Sequence, residues 1–148
     1  MIVLHPGTAV GRPLHLTAPL SFWGGTDEEG RIVDAHHPQC GALLAGRILI
    51  MESGRGSSSS SSVLAEQIRT LKAPAAIILA RPDSIIPLGA LIAHELYGLA
   101  TPVVVVEQPE YDELPVDGLL RVEAGATIGR LTHEYGGGRE QDRAPNQR

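Results

Sequence analysis

The sequence predicts an α/β fold with a short parallel central sheet, flanking helices and antiparallel outer strands. Short apolar runs alternate along the chain with segments whose apolar residues recur at helical spacing. The connections between them are short, and a strand–helix–strand order with short connections produces parallel, right-handed crossovers. The segments at the two ends of this alternating region have the character of antiparallel strands.

The first elements along the chain are a predicted strand and a long connection. Residues 11–19 alternate apolar with polar or small residues, as a half-buried strand does. Residues 20–45 are rich in glycine and turn formers and have no clear period, although a strand is an alternative at residues 31–34. A connection of this length inside a compact domain is more often functional than idle.

Three buried strands and two helices are predicted in the middle of the chain. The strands are the continuous apolar runs at residues 47–52, 74–80 and 102–107, whose lack of alternation indicates burial on both faces. The helices are predicted at residues 63–72 and 86–98 from the spacing of their apolar residues. The five elements follow one another in the order strand, helix, strand, helix, strand.

The second helix carries side chains whose positions follow from their spacing. The expected sheet-facing stripe consists of Leu88, Leu91, Ile92 and Leu99. Glu95 falls within that stripe, where a carboxylate needs a partner, either an arginine of this chain or a group on another subunit. Asp83 follows the second buried strand as a serine-rich segment follows the first, so both are expected at one end of the parallel sheet, where ligands bind.

The last part of the chain is predicted to hold a hairpin and a tail. Residues 119–124 and 126–131, with Gly125 between them, favour a terminal hairpin. The residues after it lack apolar anchors. Because a chain of 148 residues is expected to form one domain, we predict a single domain at residues 1–133 and a disordered tail at residues 134–148.

Composition argues against several classes of function. The net charge of −5 is opposite to the basic surface of nucleic-acid binders, so no nucleic-acid partner is expected. No apolar segment approaches the roughly 20 residues that span a bilayer, and the N-terminus lacks a secretory pattern, so no membrane contact and a cytoplasmic location are expected. Cys40 is the only cysteine, so this chain alone can form neither an internal disulfide nor the ligand set of an iron–sulfur cluster.

Residues 53–63 read S-G-R-G-S-S-S-S-S-S-V and join a predicted strand to a predicted helix. A flexible linker is disfavoured, because the segments on either side have the pattern of neighbouring layers in one core. A helix cap is one interpretation, although a cap needs only one serine. An anion site is the other: Gly54 and Gly56 let the backbone approach a ligand, Arg55 binds a carboxylate, and the helix terminus favours negative charge, including a serine alkoxide.

Five segments together resemble a known family. They are L-S-F-W-G-G-T-D (20–27), A-G-R-I-L-I (45–50), S-G-R-G-S-S-S-S-S-S-V-L (53–64), A-P-A-A-I-I-L (73–79) and G-A-L-I-A-H-E-L-Y-G (89–98). In this order and with this spacing, they resemble the small, swivel-domain subunit of the aconitase X family. The resemblance extends over residues 8–125.

The resemblance implies a swivelling β/β/α domain that closes over an iron–sulfur large subunit to complete a hydro-lyase active site. It implies that the cluster belongs to the aconitase X large subunit, that this chain alone binds no metal or cofactor, and that the substrate is a small carboxylate. The match to G-R-G-S implies that Ser57 is the base that takes a carbon-bound proton. It further implies that Arg55, Gly56, Ser58 and Ser59 bind the substrate or hold the turn.

The resemblance also bears on the substrate. S-F-W-G-G and G-R-G-S are similar to the bacterial type, which acts as cis-3-hydroxy-L-proline dehydratase, whereas archaeal members resemble mevalonate 5-phosphate dehydratase. The hydroxyproline activity is therefore the expected one, and the mevalonate activity is the alternative. A stand-alone anion-binding or carrier module is a further alternative.

The F-W-G-G-T-D segment and a histidine pair supply further candidates. Trp23, Gly24 and Gly25 are expected at the mouth of the site, where the glycines let the loop reach over a substrate, although Trp23 is equally suited to the core. Phe22 is expected in the core. Neither a metal site nor a phosphohistidine is expected at His36, His37 and Cys40. The two histidines are adjacent, and no second ligand cluster has zinc spacing.

Overall fold

The computed structural model describes residues 1–134. Its strands in chain order are β1 (Ile2–His5), β2 (Gly7–Gly11), β3 (Pro13–His15), β4 (Ile48–Met51), β5 (Ala76–Leu79), β6 (Val103–Val105), β7 (Leu119–Ala124) and β8 (Gly129–Glu134). Its helical segments are α1 (Phe22–Gly25), α2 (Ser59–Arg69), α3 (Ile85–Tyr97) and α4 (Gln108–Asp112). Within residues 1–134, every helix is too short or too polar to cross a membrane.

The strands form two sheets. The five-stranded sheet has the order β1-β6-β5-β4-β3, in which β3 to β6 are parallel and β1 pairs antiparallel with β6 at one edge. The three-stranded sheet has the order β2-β7-β8 and is antiparallel throughout. The predicted fold class is therefore confirmed, with most of the antiparallel pairing placed in a second sheet.

The five-stranded sheet is buried on both faces. Along β4, Leu49 and Met51 belong to the core shared with α2 and α3, whereas Ile48 and Ile50 belong to the core shared with the three-stranded sheet. Because successive side chains of a strand point to opposite faces, a strand between two apolar layers must be apolar at every position. The continuous apolar runs therefore produce the β/β/α layering that the family resemblance implied.

The buried face of α3 differs from the predicted stripe. The buried residues of α3 are Ile86, Gly89, Ala90 and Ala93. Leu88 and Leu91, predicted to face the sheet, are instead 44% and 45% exposed. The reason is the close approach of α2, because a Cβ at Gly89 would lie 2.8 Å from the carbonyl oxygen of Ser61. Small side chains, and not leucines, therefore form this helix contact.

The prediction of a salt-bridged Glu95 is also wrong. Ile92 and Leu99 pack at the edge of the core, where they are partly buried. Glu95 is exposed, and none of the ion pairs among residues 1–134 includes it. Pairing with an arginine is therefore absent within the described residues, and a contact of Glu95 with another subunit stays a prediction.

The N-terminal boundaries of two elements differ from the prediction. α2 begins at Ser59, four residues before the predicted start at Val63, because the serines themselves continue the helix. Of the strand predicted at residues 11–19, only residues 13–15 form β3, which pairs parallel with β4. Residues 31–34 form no strand, although Arg31 and Ile32 each form an isolated bridge.

The chain ends contain elements with weak sequence signals. β1, β2 and α4 had no predicted counterpart, since each has only four or five residues. The predicted hairpin is confirmed as β7 and β8, but β8 begins at Gly129, three residues later than predicted, because residues 125–128 and not Gly125 alone form the turn. Glu134 ends β8, and the rest of the predicted tail lies outside the described residues.

Gly89→Ala should lower the free energy of unfolding by about 1–3 kcal/mol, because the added methyl group meets backbone atoms that cannot rotate away. This cost outweighs the gain in helix propensity of about 1 kcal/mol. Leu88→Ala is the matched control, and it should cost less than about 1 kcal/mol because its side chain is exposed. Urea unfolding measures both values. A larger loss of unfolding free energy in Leu88→Ala than in Gly89→Ala would support the predicted leucine stripe instead.

Candidate active site

The serine turn, residues 53–58, lies where the five-stranded sheet meets the helix layer. It follows the carboxyl end of β4 and leads into α2. Two backbone contacts hold it beside the residues that precede α1: Gly54 forms a parallel bridge with Leu20, and the Arg55 N–H donates to Leu20 O at 3.2 Å. The serine turn and the loop of residues 20–25 therefore lie side by side.

A pocket of about 130 Å³ opens between these two segments and the start of α3. Gly54, Arg55 and Gly56 line it together with Asp83. Since Asp83 follows β5, the prediction that both strand ends meet at one end of the parallel sheet is confirmed. The Oδ1 atom of Asp83 accepts hydrogen bonds of 2.8 Å from two N–H groups at the start of α3. Asp83 therefore caps this helix.

Gly56 satisfies two constraints that exclude other residues. Its φ is +103°, a left-handed conformation that L side chains rarely adopt. A Cβ at this position would also overlap the hydroxyl oxygen of Ser21 and lie 3.1 Å from Ser21 Cβ. Gly56 therefore permits the close contact between the serine turn and the loop, and its predicted contact with substrate stays a prediction.

Ser60 joins the two segments from the interior. It is 4% exposed, and its Oγ accepts a hydrogen bond of 3.2 Å from the Trp23 N–H. Its hydroxyl lies 3.4 Å from Ser21 Oγ, which donates to Trp23 O at 2.7 Å. The three residues thus form a closed ring of hydrogen bonds. The sequence did not indicate Ser21 or Ser60, because nothing in the run of six serines marks which hydroxyl meets the loop, and Ser21 precedes α1 without a recognisable motif.

The serines proposed for chemistry are exposed. Ser57 and Ser58 precede α2, and Ser59 is its first residue. The backbone oxygens of Ser57 and Ser58 accept hydrogen bonds from the amides three residues later and so close the first turn. The Ser57 hydroxyl forms no hydrogen bond with any residue in the described range. It therefore stands free at the positive end of an 11-residue helix.

Arg55 has an acidic neighbour that the sequence did not predict. Its guanidinium lies 3.9 Å from the carboxylate of Asp34, and the two side chains are 63% and 25% exposed. An exposed ion pair of this kind contributes about 0–1 kcal/mol. Asp34 therefore orients Arg55 weakly, and a carboxylate ligand can replace it.

The loop residues divide between packing and exposure. Trp23 is 60% exposed, so the interpretation that places it in the core is wrong, whereas the prediction that Phe22 is buried is confirmed. Gly24 has a φ of +80°, and a Cβ there would meet no atom within 4 Å. Gly25 is buried, with its hypothetical Cβ 3.3 Å from Leu20. Trp23 and Gly24 therefore face outward, and Gly25 packs inward.

The histidine pair is divided between surface and interior. His36 is exposed and His37 is buried. Both ring nitrogens of His37 bond to the backbone: Nε2–H donates to Ala18 O and Nδ1 accepts from the Gln39 N–H, each at 3.0 Å. Cys40 is an exposed free thiol. His37 therefore stabilises the loop between β3 and β4.

Comparison with known sequences identifies relatives of this arrangement. Residues 1–130 match the family described as the aconitase X swivel domain. The chain is 46% identical over 109 residues, 73% of its length, to the cis-3-hydroxy-L-proline dehydratase of Pseudomonas aeruginosa. It is 39% identical over 120 residues, 80% of its length, to the enzyme of the same description from Hypocrea jecorina. The matches cover 19% and 20% of these relatives, so the chain spans about a fifth of their length.

Other relatives are similar in length to this chain. The phosphomevalonate dehydratase small subunit of Methanothermobacter thermautotrophicus is 34% identical over 131 residues, which cover 87% of this chain and 94% of that relative. The crystal structure of Thermococcus kodakaraensis aconitase X in its holo-form has a TM-score of 0.76 at 30% identity, covering 89% of this chain and 95% of that one. The resemblance seen in the sequence is therefore confirmed.

Ser60→Ala should loosen the loop of residues 20–25 without unfolding the domain. It removes the acceptor of the Trp23 N–H, and an unpaired buried donor costs about 1–3 kcal/mol. Because Trp23 is the only tryptophan, its fluorescence anisotropy should fall, and its amide should exchange hydrogen faster. Ser62→Ala, at an exposed position of the same helix, is the control. Equal changes in both variants would show that Ser60 does not hold the loop.

Proposed function

Because the chain belongs to the aconitase X swivel-domain family, we propose that it is the small subunit of a hydro-lyase and completes an active site shared with an aconitase X large subunit. Relatives of similar length are described as small subunits, and in the hydroxyproline dehydratases the matched region is a fifth of a longer chain. The observation that carries the proposal is the exposed Ser57 hydroxyl, which follows the pocket-lining residues Arg55 and Gly56 directly in sequence.

Ser57 acts as the base in the proposed reaction. Its alkoxide oxygen takes the proton from the substrate carbon that bears a carboxylate, and the electron pair left on that carbon forms a double bond as the hydroxyl of the neighbouring carbon departs as hydroxide. The proton taken up by Ser57 and this hydroxide together make up the water released. A neutral serine is a weak base. The positive end of α2 and the Arg55 guanidinium both favour the alkoxide, and closure against the partner removes the water that would compete.

Substrate binding falls to the residues around Ser57. Arg55 exchanges its exposed Asp34 partner for the substrate carboxylate, to which a guanidinium can donate two parallel hydrogen bonds. The N–H groups of Ser58 and Ser59 precede the first hydrogen bonds of α2 and can donate to substrate oxygens. The exposed Trp23 ring covers the substrate. Gly24, Gly25 and Gly56 shape the backbone so that the loop and the serine turn both reach it.

The iron–sulfur cluster expected of the family does not fit the residues of this chain. Cys40 is its only cysteine. Within residues 1–134, no group of three or more His, Cys, Asp or Glu side chains is arranged to hold a metal ion. We therefore assign the cluster to the large subunit. The role of this chain is to bind the substrate and to transfer the proton.

We propose cis-3-hydroxy-L-proline as the substrate and the cytoplasm as the location. The support for the substrate is the higher identity to the hydroxyproline dehydratase of P. aeruginosa, 46% against 34–42% for six phosphomevalonate dehydratase small subunits. Mevalonate 5-phosphate is the second candidate, because the small subunit of M. thermautotrophicus aligns along 94% of its length. The chain is co-purified with its large subunit, and the complex is assayed with each compound. The compound that is dehydrated identifies the substrate.

Ser57→Ala should reduce turnover of the two-subunit enzyme by about 10²–10⁴-fold while the complex still forms, because only the proton acceptor is lost. Steady-state assays of the co-purified complex measure this change. Thr132→Ala, at an exposed position of β8 in the other sheet, is the matched control. A Ser57→Ala complex that turns over at the control rate would contradict the assignment of the base.

Arg55→Met should raise KM by about 10–100-fold, because a charge-assisted hydrogen bond contributes about 1.5–3 kcal/mol. The KM of Arg55→Lys should lie between those of the wild type and Arg55→Met, since lysine keeps the charge and loses the planar pair of donors. The measurement is the KM for the substrate that the complex dehydrates. Arg130→Met, in β8, controls for the loss of a surface cation. An unchanged KM in Arg55→Met would place the carboxylate elsewhere.

The isolated chain provides the test against a stand-alone module. Without its large subunit it should show no dehydration and no calorimetric heat with carboxylates or phosphates, since half of the proposed site is missing. Tight anion binding by the isolated chain would favour a carrier or binding module over the shared hydro-lyase site.

A further inference from the structure

The pocket beside the serine turn is lined by two groups of opposite charge. Among the described residues that line it, only Arg55 and Asp83 have ionisable side chains. The Arg55 guanidinium is assigned to the substrate carboxylate, whereas Asp83 has as yet no part in the proposed reaction. We propose that Asp83 binds the protonated amino nitrogen of the substrate and thereby selects zwitterionic amino acids, an assignment that rests on the proposed function.

One carboxylate oxygen of Asp83 is committed to the fold, and the other is open. Oδ1 accepts hydrogen bonds of 2.8 Å from the N–H groups of Ile85 and Ile86 and so caps α3. Oδ2 accepts no hydrogen bond from any of residues 1–134. Asp83 is half-buried, and the one fully buried side-chain atom without a partner in the described range is Gln67 Oε1. Asp83 Oδ2 therefore keeps surface that a ligand can reach.

Gly54 leaves the space in front of this oxygen unoccupied. It lines the same pocket, and a Cβ at this position would lie 3.0 Å from Asp83 Oδ2 and 2.7 Å from Ile86 Cδ1. A side chain there would cover the oxygen and crowd the start of α3. The glycine therefore keeps Oδ2 open on the side of the serine turn, where Ser57 and Arg55 bind the substrate in the proposed reaction.

Asp83 and Arg55 do not neutralise each other. None of the ion pairs among residues 1–134 includes Asp83, and the partner of Arg55 is the carboxylate of Asp34. A carboxylate without a counterion favours a cationic group of the ligand, and the guanidinium at the same pocket favours an anionic one. A zwitterion supplies both charges in one molecule.

Contacts to both charged groups would position the carbon that reacts. In an α-amino acid the carboxylate and the nitrogen are bonded to the same carbon, and this is the carbon whose proton Ser57 takes in the proposed reaction. Arg55 and Asp83 together hold that carbon at two points, which gives the orientation that proton transfer needs. The apolar side chains of Leu20 and Ile86, which also line the pocket, suit the methylene groups of a ring.

The same carboxylate disfavours the second candidate substrate. Mevalonate 5-phosphate has a carboxylate and a phosphate and no cationic group, so Asp83 has nothing to pair with and repels the phosphate. Asp83 therefore supplies both an attraction for an amino acid and a repulsion against a phosphorylated hydroxy acid.

The first test compares two inhibitors of the co-purified two-subunit enzyme. L-Proline has an NH₂⁺ group where cyclopentanecarboxylate has CH₂, and both compounds keep the carboxylate. The inhibition constant of L-proline should be about 10–100-fold lower, because a site with a charged acceptor rejects an analogue that lacks the donor. Asp83→Asn should reduce this preference to about threefold or less, since the amide oxygen keeps the cap on α3 while the charge is lost. The same preference in Asp83→Asn and the wild type, or none in the wild type, would overturn the assignment.

The second test measures the KM for cis-3-hydroxy-L-proline in the same complex. Asp83→Asn should raise it by about 10–100-fold, because the contact with the nitrogen loses its charge. Glu113→Gln removes a carboxylate at an exposed position next to α4 and should leave KM unchanged. A raised KM with an unchanged preference between the two inhibitors would mean that Asp83 acts through the fold or the large subunit, and it would contradict the contact with the nitrogen.

Failure of the proposed function gives a different result. A wild-type complex that dehydrates neither compound would remove the hydro-lyase assignment, and the role of Asp83 with it. A complex that dehydrates mevalonate 5-phosphate and not cis-3-hydroxy-L-proline would leave the hydro-lyase assignment standing and overturn the selection by Asp83. A complex that is active on cis-3-hydroxy-L-proline with equal KM values in Asp83→Asn and Glu113→Gln would remove the role of Asp83 alone.

Discussion

The ring of hydrogen bonds through Ser60 is the contact on which the candidate active site depends. It connects the loop of residues 20–25 to the first turn of α2, two segments that are far apart in the sequence. The contact requires the backbone of Gly56 to pass within reach of Ser21, which explains the absence of a side chain there. The exposed residues Trp23, Arg55 and Ser57 are therefore carried by a rigid junction. Such support is what holds reacting groups in a productive geometry.

The layers of the fold place this junction at an accessible edge. The three-stranded sheet covers one face of the central sheet, and α2 and α3 cover the other. The carboxyl ends of β4 and β5 remain uncovered, so the serine turn and Asp83 meet there. Close packing of α3 through Gly89 brings the starts of both helices to the same pocket. A second polypeptide can then close the site without disturbing the core.

Charge is distributed unevenly along α2. Its N-terminus and Arg55 make the serine turn attractive to a carboxylate substrate. Its outer side, with Glu66 and the nearby Glu28, is acidic and attracts cations. The two regions therefore differ in the sign of their electrostatic potential.

Much of the architecture follows from local patterns, as the confirmed strands β4, β5 and β6 and the terminal hairpin illustrate. Their signals are strong because burial on both faces imposes apolar residues at consecutive positions. The motif G-R-G-S likewise located the serine turn, since only glycine tolerates the backbone of Gly56. β1, β2 and α4 escaped prediction, because each extends over only four or five residues, whereas the apolar runs that indicated β4, β5 and β6 extend over six or seven.

Other features depend on contacts between segments that are distant in the chain. The leucines of α3 had the better apolar stripe, yet the close approach of α2 left room only for Gly89, Ala90 and Ala93. Ser60 and Ser61 are both buried, and it is the Ser60 hydroxyl that meets the Trp23 amide, 37 residues away. Periodicity and residue type therefore specified the layers, and the family resemblance of the motif G-R-G-S gave Ser57 as the candidate base. The helix contact, the Ser60 ring and the unsatisfied Gln67 oxygen arose from three-dimensional packing, because spacing along one segment carries no information about its neighbour.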